Sequence, residues 1–207
     1  MGDWDQYFKL GMVGGFDRVG WSILAIKAEV VYNGITQGGL EMNNPEFGTG
    51  TDKKVKEFQK LKGLEVDGIV GPNTAHQLWM KRAFFVEKKY NIPEHLLCRC
   101  KVLESSDDPA ALSDDQHDRG LMQINSVSHP MVTDQLAFNP AFSIEWAGQY
   151  LKIAHDILGD WTLALAAYNV GTAGARKWDQ AGRPKTNQDG TPNTAARYVQ
   201  VVLTRKC

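Results

Sequence analysis

Residues 104–125 read ESSDDPAALSDDQHDRGLMQIN, and this stretch decides the reading of the chain on either side of it. An acidic residue closes an apolar helical stripe there, and a glycine-led run of apolar and amide side chains comes after it. Just upstream, Pro93 comes after a break at Asn91-Ile92 and suits the first turn of a helix, where its missing N–H would be unbonded in any case. Leu97, Cys100 and Glu104 then recur at three and four residues, so the carboxylate shares a face with apolar side chains. Desolvation on that face, and the negative end of the helix dipole in the last turn, both favour the neutral carboxyl. A carboxyl held neutral can give its proton to a leaving oxygen, the role of the general acid in glycoside cleavage. On position alone, a solvated glutamate at a helix end is the simpler reading, and the residues downstream of Glu104 shift the balance.

Glu104-Ser105, then Pro109, Ala111 and Ser113 at fixed offsets, then Gly120-Leu121-Met122-Gln123-Ile124-Asn125 resemble the Glu-Ser and Gly-Leu-Met-Gln-Ile motifs of the lytic transglycosylases. Ala167-Tyr168-Asn169-Val170-Gly171 resembles that family's Ala-Tyr-Asn-x-Gly motif, and Arg197-Tyr198-Val199 resembles its closing Tyr-Val element. The resemblance runs from about Asn91 to the C-terminus. It implies an α-helical, lysozyme-like domain that cleaves the β-1,4 bond between N-acetylmuramic acid and N-acetylglucosamine. In such enzymes the C6 hydroxyl of muramic acid attacks and leaves a 1,6-anhydro end, with no second carboxylate. The implied roles are Glu104 as acid, with Ser113, Met122, Gln123, Tyr168, Asn169 and Tyr198 around the sugar. Gly120 would allow close approach of substrate to backbone. Met122 has core filling as an equal alternative, and Asn169 reads better as an amide bonding the backbone near Glu104.

Goose-type lysozymes share the Gly-Leu-Met-Gln element yet use water. Ser128-His129-Pro130 resembles their pattern, Asn125 stands in the place of one of their aspartates, and Asp118 stands about where they keep an acidic residue. The transglycosylases usually carry Gly-Ala at His117-Asp118. Asp118 is therefore a second catalytic candidate, as base for a water, against the plainer reading of one more charge in an acidic loop.

Upstream, Val55-Lys56-Glu57-Phe58-Gln59, Gly63-Leu64, Val66 to Thr74 and Leu78-Trp79 resemble the small three-helix peptidoglycan-binding domain that accompanies many wall-degrading enzymes. Thr51 is the expected N-cap and Gly63 the left-handed C-terminal cap of its second helix. Trp21, Leu24 and Ala28 give the expected inward stripe of a helix over 19–31. That upstream half lacks the family's usual Leu-Gln. Residues 72–90 keep apolar spacing with no Ser/Gly/Pro-rich linker, which predicts a continuous helix. Later, Ile144, Ala147, Leu151, Ala154 and Leu158 form a stripe, Asp160 is an N-cap for a short helix through Ala167, 171–193 reads as a long loop, and 195–203 as a closing helix.

The expected fold is therefore mainly α, with a peptidoglycan-binding domain over 1–82 and a lysozyme-like catalytic domain over 83–207. Residues 1–82 hold ten Lys+Arg and ten Asp+Glu, and the rest hold the remaining thirteen and fourteen of the 23 and 24, for a net charge of -1. Neither half is a nucleic-acid footprint. No apolar run is long enough to span a membrane. The acidic start Met-Gly-Asp-Trp-Asp lacks the basic and apolar regions of a secretory signal. Three cysteines make an odd set, read as small buried thiols, and Cys98-x-Cys100 beside His95 lacks a second cluster to complete a metal site. No metal or cofactor is expected. The expected partner is bacterial peptidoglycan, met by a monomeric phage endolysin made in the host cytoplasm and released to the wall at lysis. A non-enzymatic wall-binding virion protein with the same fold is the competing class.

Overall fold

The computed structural model describes residues 7–15 and 17–207, so the acidic start lies outside the described residues. The chain is mainly helical and divides into two compact units. The first comprises the described residues of Met1–Arg82 together with Glu104–Ile144, and the second comprises Ala83–Leu103 with Glu145–Cys207. The division at 82/83 read from motifs thus separates sequence modules, whereas packing places Glu104–Ile144 with the N-terminal helices.

In the first unit, α1 (Arg18–Tyr32) and α2 (Thr49–Lys62) enclose a core of Ile23, Ile26, Val30, Val55 and Phe58 with Leu78 and Trp79 from α3 (Pro72–Tyr90). The inward face of α1 is not the expected one: Ile23, Ile26, Lys27 and Val30 are buried, while Ala28 is exposed. Lys27 hid this stripe from a polarity reading. Its ammonium reaches the carbonyls of Glu41 and Asn44 at 3.0 and 2.6 Å, and desolvation lowers its pKa. In α2 the N-cap is Gly48, with Thr51 buried inside the first turn, and Gly63 takes the left-handed conformation at φ 67° as expected. Gln59 explains the Phe-Gln and Asp-Gly motifs together. Its buried amide donates to Asp67, Ile69 O and Thr74 and accepts from Gly68 N, tying α2 to the turn that opens α3.

These helices also pack on the 104–144 segment of their own unit. Arg18 donates to Ala110 O at 3.0 Å, Trp21 stacks on Phe138 with centroids 6.2 Å apart, and His76 Nδ1 lies 2.9 Å from Asp107. That segment carries a two-stranded antiparallel hairpin, β1 (Asp118–Arg119) with β2 (Ile124–Asn125), and the one-turn α5 (Asp134–Ala137).

In the second unit, α6 (Pro140–Leu158) buries the expected stripe from Ala147 through Ala154, and α7 (Trp161–Gln180) buries Leu163 to Ala167. Gly148 lets α6 and α3 close up, since a Cβ there would stand 2.3 Å from Val86 Cγ1. Asp160 caps α7 by accepting from Thr162 N and Leu163 N. The helix does not stop near Ala167: it bends at Gly171 and continues to Gln180, so the loop spans only 181–193. Buried Ala175 and Trp178 carry the apolar face of the helix past the bend, where glycine punctuation predicts a loop. The closing helix α8 covers Thr194–Thr204.

The helix α4 (Leu96–Ser105) begins three residues after Pro93. Its start is held by the buried Glu87 carboxylate, which accepts from His95 N at 2.9 Å and Cys98 N at 3.0 Å. The thiol reading fails for two cysteines. Cys98 and Cys207 form a disulfide with Cα atoms 5.7 Å apart across a separation of 109 residues, and Cys100, buried, keeps its thiol outside any disulfide. Arg205 Nη1 adds a bond to Val102 O at 2.7 Å, so the C-terminal tail grips α4 at two levels.

Candidate active site

Glu104 sits half-buried in the last turn of α4, as the spacing predicts. Two consecutive left-handed residues, Ser106 at φ 55° and Asp107 at φ 69°, then turn the chain away. Such conformations cost non-glycine residues about 1–3 kcal/mol each and persist only where the surroundings impose them. Here Ser105 Oγ donates to Leu121 O at 2.9 Å, tying the helix end to the turn of the hairpin. The acidic loop that follows is partly interior. Asp107 and Asp108 are buried, the first beside His76 and the second accepting from Ala110 N.

The turn between the strands shows why its residues are what they are. Gly120 has φ 71°, and a Cβ on it would stand 2.1 Å from Ala137 O, so the glycine is required by the protein's own backbone and not by a sugar. Met122 is fully buried, with its N–H directed to Ser143 Oγ at 3.2 Å. The core-filling alternative therefore describes it, because a side chain without exposed surface has none to offer a saccharide. Gln123, half-buried at φ 48°, donates to Gly120 O at 2.9 Å. Its Oε1 accepts no hydrogen bond among the described residues and is the polar group this turn has left for an N–H.

Asp118 and Asn125 are register partners, and Asn125 Nδ2 donates to Asp118 Oδ1 at 2.7 Å. Asn125 in turn accepts from Val127 N and Ser128 N. A half-exposed carboxylate held this way is oriented, which is more than a loose loop charge. Ser113 serves the same loop: its Oγ accepts from Asp118 N at 2.9 Å and donates to Asp115 at 2.6 Å. Arg119 is buried behind the hairpin against Asp134 at 2.7 Å. Desolvation and this cation lower the pKa of His129, which favours its neutral form.

In the second unit, Tyr168 of α7 and Tyr198 of α8 stack with centroids 6.4 Å apart and planes inclined by 16°. Two aromatics that sequence reading missed complete the group. Tyr150 meets Tyr168 edge-on at 5.5 Å, and Trp146 stacks on Tyr150 at 5.4 Å. Their spacing of four residues, beside the buried stripe of α6, was the available signal. Tyr150 donates to Ala167 O at 3.0 Å, and burial raises its pKa. Asn169 is exposed, and among the described residues its side chain makes no hydrogen bond, so the structural-amide expectation is not met.

A family model for the transglycosylase SLT domain matches residues 82–189, just over half of the chain, and one for a peptidoglycan binding domain matches residues 34–78. The first match takes in Glu104, the hairpin and Tyr168 and ends before Tyr198. The second begins after α1, the helix whose sequence departs from the wall-binding pattern. No curated protein matches the chain.

Proposed function

We propose, from the premise that this chain belongs to the transglycosylase SLT domain family and is a lytic transglycosylase acting on peptidoglycan, that it is a phage endolysin with Glu104 as its catalytic acid. The observation that carries the site is the half-buried Glu104 at the end of a helix fixed at both ends, by Glu87 at its start and by Ser105 on Leu121 O at its close. Glu104 gives its proton to the glycosidic oxygen between N-acetylmuramic acid and N-acetylglucosamine as the bond to the anomeric carbon breaks. The muramic C6 hydroxyl then attacks that carbon and returns its proton to the Glu104 carboxylate. No water is consumed, and the product is a 1,6-anhydromuramic end. Gln123, through Oε1, and the hydroxyls of Tyr168 and Tyr198 hold the N-acetyl sugar. Residues 1–82 serve as the wall-binding module and 83–207 as the catalytic one, a division of function and not of packing. The endolysin role rests on a wall-binding and a wall-cleaving module joined in one chain, which in this reading is made in the host cytoplasm and reaches the wall at lysis. The disulfide fits the oxidising side of that passage.

A second reading has its own observation, the Asp118 carboxylate oriented by Asn125. In that case Asp118 directs a water to the anomeric carbon and the product is a reducing end. Mass spectrometry of a digest separates the two, because the anhydro product is lighter by one water. Predominantly reducing ends, with severe loss of activity in Asp118→Asn, refute the transglycosylase step. Failure of the purified chain to clear permeabilised cells leaves the non-enzymatic virion reading.

A further inference from the structure

Trp21, Leu24 and Ala28, the stripe of α1 that spacing turns inward, stay out of the core of the first unit. They line instead a cavity of about 200 Å³ between α1, α3 and residues 135–141, all within that unit. This is below the range of about 300–1,000 Å³ usual for drug-sized ligands and suits a single ring. None of its lining residues falls in 34–78, the span of the wall-binding match, and neither Glu104 nor the stacked tyrosines line it.

Two of the lining residues, Trp79 and Glu29, are 0% and 1% exposed, and each carries a buried polar atom with no hydrogen bond among the described residues. Arg82 Nε and Nη2 both donate to Glu29 Oε2, at 2.9 and 2.8 Å, which leaves Oε1 unbonded. Trp79 Nε1 likewise has no acceptor. Buried polar groups in folded proteins nearly always have a partner, so an acceptor and a donor left over at one cavity point to something that takes both.

The lining selects the occupant. Glu29 and Arg82 neutralise each other and no other charged residue lines the cavity, so the ligand is neutral. It must offer an N–H or O–H to Glu29 Oε1 and an oxygen to Trp79 Nε1. Leu24, Ala25 and Ala28 favour a small apolar group beside these atoms, half-buried Trp21 adds an aromatic wall, and exposed Gln135 and Asn139 supply polar groups for hydroxyls. An acetamido group on a sugar ring meets these demands together, with its N–H, its carbonyl and its methyl.

We propose that this cavity is a non-catalytic site for one N-acetylhexosamine, held by its acetamido group between Glu29 Oε1 and Trp79 Nε1. That peptidoglycan supplies the sugar rests on the cleavage reading above, whereas the site itself does not. The test uses the full chain carrying Glu104→Gln, isotopically labelled so that each of the six tryptophans gives an indole N–H signal in the magnetic resonance spectrum, with Trp79 assigned through the backbone. A trimer of N-acetylglucosamine is titrated in, and a trimer of glucose serves as control. The Trp79 signal should move downfield and saturate with the acetylated trimer alone, as a new bond on its N–H requires. Adding Ala28→Phe, which fills the cavity from an exposed position, should weaken the affinity read at that signal about tenfold or more. A Trp79 signal that does not move leaves water alone as the partner of these atoms and overturns the site. So does one that moves equally with glucose trimer, or that keeps its affinity when Ala28→Phe is present. If the signal moves as expected while the parent chain leaves peptidoglycan uncut, the site stands and the cleavage reading falls.

Discussion

Breaking the Cys98–Cys207 bond should remove a large part of the stability of this chain. The bridge closes a loop across 109 residues, and the chain-entropy relation gives about 16 cal/mol/K for a loop that long, or about 4.8 kcal/mol at 25 °C. Measured bridges more often return about 2–4 kcal/mol, against a total stability of about 5–15 kcal/mol for a typical native protein. The mildest perturbation is Cys207→Ser, which leaves Cys98 as a small buried thiol and keeps Arg205 able to reach Val102 O. With a urea slope of about 2 kcal/mol/M, the unfolding midpoint should fall by about 1–2 M, and reductant should move the parent chain to the same place. Thiol titration of the unreduced, urea-unfolded parent should count one group, Cys100. Three titratable thiols, or midpoints that coincide with and without reductant, would refute the reasoning.

Glu104→Gln should lose about 10²–10⁴-fold in cleavage rate with an unchanged melting curve, since the amide keeps the shape and cannot donate the proton; near-parental clearing of cell walls removes Glu104 from the mechanism. Burial raises the pKa of Glu29 above the ordinary 4.5, partly offset by Arg82, so the folded state holds this proton more tightly than the unfolded one. Its contribution is therefore full below 4.5 and is lost as pH rises through the raised value, and Glu29→Gln should flatten the stability curve from pH 4 upward; parallel curves for parent and variant argue against it. Deleting residues 1–82 should unfold the hairpin region instead of leaving a clean catalytic domain, because Arg18, Trp21 and His76 go with it. A truncated chain with parental circular dichroism and cooperative melting would contradict this.

Helices with one long apolar stripe were legible from spacing alone, as α3 and α6 show. So was the place of Glu104, because Leu97 and Cys100 are both buried beneath it. The misreadings have separate physical causes. In α1 a lysine occupies the buried face, and only the carbonyls of Glu41 and Asn44, far along the chain, make that acceptable. At Gly120 the close neighbour is Ala137 O, which no local pattern announces. The Cys98–Cys207 pairing and the grouping of Tyr168 with Tyr150 and Trp146 are likewise long-range facts. Asp118 fell between the two cases. Its motif position was visible, but its bond to Asn125 required the register of a hairpin two residues wide.

The bend in α7 constrains how such a chain can vary. Gly171 sits at φ 71° and ψ 163°, a backbone region essentially closed to every residue but glycine, although a Cβ there would meet nothing within 4 Å. Conformation and not room fixes its identity. The bend gives the two halves of the helix separate axes, one aiming Tyr168 and the other burying Trp178. Substitutions beyond the bend can therefore accumulate without re-aiming the tyrosine, for as long as position 171 stays glycine.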